Sequence, residues 1–414
     1  MLGVLRRYCS SYRYGADLMM LGSALYCPIS HSTQGDSHQS DSHQRFQELC
    51  QLVASSSQET EAARRLSEGL ARKLADEGLF AMFVPRQIGG GELNPLEAAW
   101  HLHQLAQHDA ASAWVAMVGT TTGLGASYID PSIGADLFGA AGRITCGIFA
   151  PSGQAIADGD GYLLTGRWSW ASGSANADYI GVGCTVAEST TLDAVRLMMV
   201  PRSEFIFHDN WHSLGLCGTS SGDIELQRVR VPADHSYSIF ADKPWAEGAL
   251  YTMPYFGLLA VCVAAVALGN ARAALDYFHG LAQTKTAQGH KGVLSGNKRV
   301  QGALAESEAR WRSVDALFWQ QLDQAWQRAL QGQPMDPVAQ AELRLGATFA
   351  VRTCVDVVRQ VHDLAGGSSV YRSSPIQKHL RDAETMTQHM ITNAATYAMV
   401  GQVMLGGNHQ GLPL

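Results

Sequence analysis

An α+β fold in three blocks is predicted by three features of this 414-residue sequence. Helical periodicity governs the first third. Short β-branched and aromatic runs separated by turns fill the middle, and long apolar-striped segments follow. The blocks are expected at residues 45–143 (an N-terminal helical domain), 144–242 (a central β-domain) and 243–414 (a C-terminal four-helix bundle).

A leader of different texture, residues 1–44, precedes them. The apolar part of "MLGVLRRYCSSYRYGADLMMLGSALYC" is too short to span a bilayer, and no small-x-small cleavage pattern follows. "PISHSTQGDSHQSDSHQ" is rich in Ser, His and Gln, the composition of an unfolded segment. Residues 1–44 are therefore expected to be disordered or a non-native extension, with Met19 and Met20 as alternative starts. A chain beginning near Arg45 should fold. His31, His38 and His43 are read as part of a solvated tail rather than as a metal site.

In the helical block, Leu66, Leu70 and Leu74 fall one turn apart, and Pro85 and Gly89 to Gly91 break the pattern. The next helix has Asn94 as N-cap, Pro95 first and Glu97 three after the cap, and runs to about Asp109. "ASAWVAMVGTTTGLGASYI" completes the block. The β-block contains "RITCGIFA", "YLLTGRWSWAS", "YIGVGCTV", "VRLMMVP" and "DIELQRVRVP", with a turn at Asp158 to Gly161. After Lys243 the long apolar segments suit an antiparallel bundle. The last helix opens on a capping-box pattern, Ser374-Pro375-Ile376-Gln377. Unbroken to Leu405 it would run roughly 30 residues, long for a globular helix, so a break is expected near His389.

A net charge of −7 gives no electrostatic case for nucleic acid or an anionic membrane. Eight cysteines without C-x-x-C spacing suggest neither zinc nor a disulfide framework, and a reduced, cytoplasmic compartment fits. "GTSSG", Gly218 to Gly222, matches G-x-S-x-G, but a strand follows where a nucleophile elbow needs a helix. Gly181 and Gly183 lack the third glycine and the helix of a dinucleotide fingerprint. His101, His103 and His108 share a helix, but positions i and i+2 do not share a face, so no metal site is expected.

Two segments stay open on pattern alone. In "GRWSWASGSANADY", Trp168 and Trp170 flank a serine, and Ser172-Gly173 form a turn. Either the indoles wall a flat slot with a hydroxyl at its edge, or they belong to a sandwich core. His389, taken as helical, has Thr385 and Asn393 at i±4. It would then sit beside the apolar stripe Met386, Met390, Ala394 and Ala398, where most histidines are structural.

In order and spacing, "LADEGLFAMFVPRQIGGGELNPLEA", "DAASAW", "GRWSWASGSANADY", "WHSLGLCGTSSGDIELQRVRVPA" and "GGSSVYRSSPIQKHLRDAE" resemble the acyl-CoA dehydrogenase superfamily over about residues 50–410. The superfamily includes dehydrogenases and flavin-dependent monooxygenases. A dehydrogenase needs a carboxylate base. The resemblance places that base near Met390 or within "MPYFGLLAVCVAAVALG", and neither place has an acid. The monooxygenase branch instead carries a histidine eight residues after the arginine, which His389 matches from Arg381. Ser172 matches that branch's serine beside flavin N5. "GNHQGLP" resembles the ending of its steroid-phenol hydroxylases.

The resemblance thus implies the oxygenase component of a two-component monooxygenase. A separate NAD(P)H:flavin reductase would supply reduced flavin, and O2 would act through a flavin C4a-hydroperoxide on a small aromatic or heteroaromatic compound. It implies His389 as donor to the peroxide and Ser172 as donor at N5. Trp170, Thr219, Ser220 and Gln301 would contact the flavin, with Trp168 and Thr122 in the substrate pocket. The dehydrogenases' Arg-Lys-x-Phe-Gly motif reads "TKTAQG" here, Thr284 to Gly289, without the arginine. That favours reduced FMN, with FADH2 as the other choice. "GTTTG" stands where phenol hydroxylases place a histidine, so a neutral ring such as an indole stands beside a phenol. A homotetramer is implied, and the apolar "LLAVCVAAVALG" points the same way. The alternatives are a dehydrogenase with a displaced base and tightly bound FAD, or a catalytically silent homologue that binds a partner.

Overall fold

A computed structural model describes residues 36–186, 192–289 and 291–407. The reading of residues 1–35, and most of "GNHQGLP", lies outside them. Helix α1 (Asp36–Ala63) begins inside the expected leader, so residues 36–44 are helical. Helix α2 (Glu68–Asp76) is capped by Ser67, and Leu66, Leu70 and Leu74 are all buried. In α3 (Pro95–His108) the Asn94 side chain accepts from Glu97 N at 2.9 Å. Helix α4 (Ala110–Thr122) follows at once, because Asp109 ends one helix and caps the next, accepting from Ser112 N at 2.8 Å. A short α5 (Pro131–Gly134) leads to the sheet.

The strands are β1 (Thr145–Asp158), β2 (Gly161–Trp168), β3 (Tyr179–Val186), β4 (Val195–Pro201), β5 (Ile206–His208), β6 (Asp223–Pro232) and β7 (Ser236–Tyr237). They form one sheet in the order β5-β6-β2-β1-β3-β4-β7, antiparallel except for β1 with β3. Trp168 ends β2 facing inward. It is fully buried, and its indole donates to Gly183 O at 2.7 Å. A Cβ on Gly153 would lie 2.0 Å from its ring, so that glycine makes the space. This corrects the expectation that Trp168 lines a substrate pocket. Residues i and i+2 share a face only while the strand continues. Here β2 stops at Trp168, and Trp170 turns out with φ 66°, 72% exposed.

The remaining helices are α6 (Tyr255–Thr284), α7 (Lys298–Leu330), α8 (Pro337–Ala365), α9 (Pro375–Met386) and α10 (Ala395–Met404). Helix α6 packs most extensively on α8 and α3. Among the described residues it is the one helix long and apolar enough to cross a membrane, but 89% of its most apolar window is buried in the fold. Its apolarity serves the chain's own core and is no argument for a tetramer. Helix α9 starts at Pro375 as expected, but Ser374 makes no side-chain cap bond and the Gln377 amide donates to Arg372 O instead.

One buried ion cluster joins the three blocks. The ammonium of Lys378, on α9, donates to Asp109 Oδ1 at 2.7 Å and to Asp382 Oδ2 at 2.8 Å. Asp382 Oδ1 also accepts from Leu216 N, in the β-domain, at 2.6 Å. Gly215 lies so close to α9 that a Cβ would come within 2.0 Å of Arg381 O. Removing the lysine leaves two buried carboxylates unpaired, a loss of roughly 3–5 kcal/mol for such a pair. Lys378→Met should therefore lower unfolding free energy by about that amount in a denaturant titration. A loss below ~1 kcal/mol, the size of a surface pair, would remove the cluster from this role.

Candidate functional site

Ser172 and the loop Gly218–Gly222 meet because β2 and β6 are paired. Trp168 sits opposite Ile224, so the turn after β2 and the loop before β6 emerge together. Ala171 N donates to Gly222 O at 3.1 Å, and Gly173 N donates to Thr219 O at 2.8 Å. The side chains then form a line. Trp114 Nε1, on α4, donates to Ser172 Oγ at 3.3 Å. Ser172 Oγ lies 2.6 Å from Ser221 Oγ, which lies 2.6 Å from Thr219 Oγ1. Thr219 Oγ1 donates to Leu216 O at 2.8 Å.

A hydroxyl has one proton, and the Thr219 bond to the Leu216 carbonyl gives the line its direction. Thr219 gives its proton to the carbonyl, so Ser221 must donate to Thr219 and Ser172 must donate to Ser221. The proton of Ser172 points inward, and its remaining free function is a lone pair. In that direction Ser172 meets the site as an acceptor, where the resemblance implied a donor.

His389 reaches the same indole from the other side. Its ring meets Trp114 edge-on, with centroids 5.4 Å apart at 76°. The expected break is present, but it removes His389 from the helix altogether, so the i±4 neighbours assigned to it do not apply. Thr385 and Thr387 bond back to the carbonyls of Arg381 and Glu384, at 2.9 and 2.7 Å, which loosens the end of α9. Asn393 then accepts from Ala395 N at 2.9 Å and restarts the chain as α10. His389 lies in the intervening turn, half-buried. Ile391 N donates to its Nδ1 at 3.4 Å, so in the neutral ring Nε2 carries the proton. Burial, and then the charge of Arg344, push the imidazole down to about 4. Arg344 also donates to Ile391 O at 2.8 Å, which holds the turn.

Other expected positions fall elsewhere. Thr122 is on the Trp114 face of α4, two turns on, but its hydroxyl donates to Val118 O at 2.7 Å and packs against Gly147. That occupies its proton within its own helix. Gln301 is exposed and donates to Ser295 O at 2.8 Å, with no contact to the Ser172 line within the chain. Thr219 and Ser220 are buried in the loop, Ser220 with φ 51°. The sequence reading missed Trp114 and Ser221. "DAASAW" put the indole one turn after the cap Asp109, but nothing local linked it to a serine 58 positions away.

The residues present suit a flavin ring. An indole left open at Trp170 adjoins a hydroxyl that only accepts and, across Trp114, an imidazole N–H. No carboxylate contacts Ser172 or His389 among the described residues. Two surface grooves lie apart from this group, one of about 420 Å³ between α7 and α8 and one of about 480 Å³ beside Arg65 and Arg72. Both arginines are already paired, with Asp209 and Asp178.

Comparisons with known proteins place the chain in a family. Residues 38–131 match the acyl-CoA dehydrogenase N-terminal domain and residues 261–394 match the acyl-CoA dehydrogenase C-terminal domain. An indole-3-acetate monooxygenase from Pseudomonas putida is 29% identical over 84% of this chain and 89% of its own. The oxygenase component of an FADH(2)-dependent resorcinol hydroxylase from Rhizobium sp. is 29% identical over 88% and 93%. The Mycobacterium tuberculosis flavin-dependent monooxygenase oxygenase subunit HsaA is 26% identical over 86% and 92%. Among solved structures, XiaF from Streptomyces sp., in complex with FADH2 and glycerol, superposes with a TM-score of 0.84 at 20% identity, covering 91% of this chain and 98% of that one.

One buried and two half-buried imidazoles make a pH prediction. Burial pushes His103, His379 and His389 down to about 4. Each ring is neutral in the fold and takes up a proton near 6.5 once unfolded. Their contribution is complete above pH 6.5 and is lost as pH falls toward 4, at up to about 1.4 kcal/mol per pH unit per ring. Urea titrations at pH 7, 6 and 5 should show progressively lower stability. A level profile down to pH 5 would mean that the rings titrate normally.

Proposed function

Because the chain belongs to the acyl-CoA dehydrogenase superfamily, in the branch of flavin-dependent monooxygenase oxygenase components, we propose that it inserts one oxygen atom from O2 into a small aromatic or heteroaromatic compound. The convergence of Ser172 and His389 on Trp114 carries this reading. A dehydrogenase would need a free carboxylate there. The nearest acids on α9 are engaged: Asp382 with Lys378 and Leu216 N, and Glu384 in a two-pronged pair with Arg359 at 2.6 and 2.7 Å.

Reduced flavin, when bound, supplies the two electrons that activate O2, so that substrate C–H becomes C–OH and the second oxygen leaves as water. The protein's task is to place neutral hydrogen bonds and exclude water. His389 is neutral at pH 7 and offers Nε2–H as a donor. Trp114 meets its ring edge-on. Ser172 offers its lone pair, while Thr219 and Ser220 are expected at the flavin from the β-domain and Trp170 against its ring.

The finer assignments rest on supporting observations. Relatives named for indole-3-acetate and for resorcinol support an indole or phenol substrate. Thr122, with its proton engaged, is no base, which supports the neutral ring. Two relatives named with FADH2 weigh against the FMN preference drawn from "TKTAQG". A separate NAD(P)H:flavin reductase fits a chain similar to oxygenase components, and a cytoplasmic location fits that partner. Exposed apolar side chains at Leu214, Tyr371, Met390 and Leu405 support a homotetramer that covers them. Light scattering at micromolar concentration should give four copies; a monomer would end that assignment.

His389→Ala should fold and bind reduced flavin. Loss of one preorganised donor costs about 10²–10³ in rate. Product formation should fall by that factor while oxygen consumption continues as peroxide release. Melting temperature and the product-to-peroxide ratio, measured on one sample, check this. A destabilised but fully coupled mutant would falsify the catalytic role.

A further inference from the structure

We propose that Ser221, with Thr219, makes the site selective for reduced over oxidised flavin by holding the proton of Ser172 away from the ring. The argument rests on the reading that flavin binds against Ser172. Ser221 contacts no open surface: it is 4% exposed, and both its bonds are to the neighbouring hydroxyls. It acts through Ser172 and is a positioning residue.

Redox state changes the polar edge of a flavin. The oxidised ring presents bare nitrogen, an acceptor, where the reduced ring presents N–H, a donor. A serine free to rotate serves both states, because it donates to one and accepts from the other. Ser172 is not free. Trp114 occupies one lone pair at 3.3 Å and Ser221 takes the proton at 2.6 Å. What remains is an acceptor, which matches the reduced edge and sets two lone pairs against each other at the oxidised edge.

The line holds its direction because its far end cannot reverse. A carbonyl only accepts, and Leu216 O takes Thr219 Oγ1 at 2.8 Å, Trp211 Nε1 at 3.0 Å and Thr219 N at 3.1 Å. The N–H of the same residue, in the preceding peptide, is fixed on the Asp382 carboxylate, which holds Leu216 in place. Rotating Ser172 outward would strand the Ser221 acceptor in a buried site.

Anaerobic titration of the whole protein with oxidised and with photoreduced FMN and FAD tests this, followed by the midpoint potential of the bound flavin. The wild type should bind the reduced form more tightly. In Ser221→Ala the Ser172 proton is released, and the reduced-to-oxidised affinity ratio should fall about tenfold, mostly through tighter oxidised binding. For a two-electron couple that is a potential about 30 mV lower. Thr219→Val should act in the same direction. An unchanged ratio in folded Ser221→Ala or Thr219→Val overturns the proposal, as does equal weakening of both forms. Wild-type protein that binds neither form would instead overturn the flavin reading itself.

Discussion

The lysine between two aspartates is the contact on which the rest of the molecule depends. Lys378 belongs to the helical bundle, Asp109 to the hinge between α3 and α4, and Asp382 passes the charge on to Leu216 in the β-domain. Asp109 is held below the usual carboxylate range because the lysine and the Ser112 bonds outweigh its burial, and the same carboxylates hold Lys378 up. Such a cluster adds little net stability over apolar packing, but it has one satisfactory geometry. That geometry fixes the start of α4, which carries Trp114, and the loop that carries Thr219 and Ser221. It also fixes the helix that ends just before His389.

The site is therefore assembled from elements that are distant in the chain and individually ordinary. Leu216 has φ 50°, an uncommon conformation for a branched side chain, and Trp170 and Ser220 are likewise left-handed. Such positions persist when the surroundings over-determine them. For Leu216 the restraint is visible: its N–H is on a carboxylate and its C=O receives three donors.

Much of the fold was legible because local chemistry decides it. Asn94-Pro95 and Asp109 announce helix starts, and the Leu66, Leu70, Leu74 spacing announces a buried face. The cap at Ser374 was misjudged because Gln377 found a backbone partner upstream. Trp168 was misplaced because alternation says which residues share a face but not where the strand ends. His389 was singled out, yet its neighbours were taken from a helix that the threonines and Asn393 interrupt. The resemblance supplied Ser172 and His389 as a pair. Neither it nor the residue pattern supplied the indole between them, since Trp114 reads as one more apolar residue in an almost wholly buried helix.

The direction of the hydroxyl line was out of reach from sequence for a different reason. A run such as Thr219-Ser220-Ser221 holds three hydroxyls whose protons are free to turn, and composition assigns none of them. The direction follows only from a terminus that cannot donate, the Leu216 carbonyl, and that terminus is placed by a charge 166 positions away. A site proposed to hold reduced flavin away from water and stray bases would gain from this arrangement. Its polar groups are neutral, and the Lys378 cluster that orders Leu216 is paired within itself. Under the proposed function, what would face the ring is a lone pair at Ser172, directed by Ser221, and an N–H at His389, fixed by Ile391.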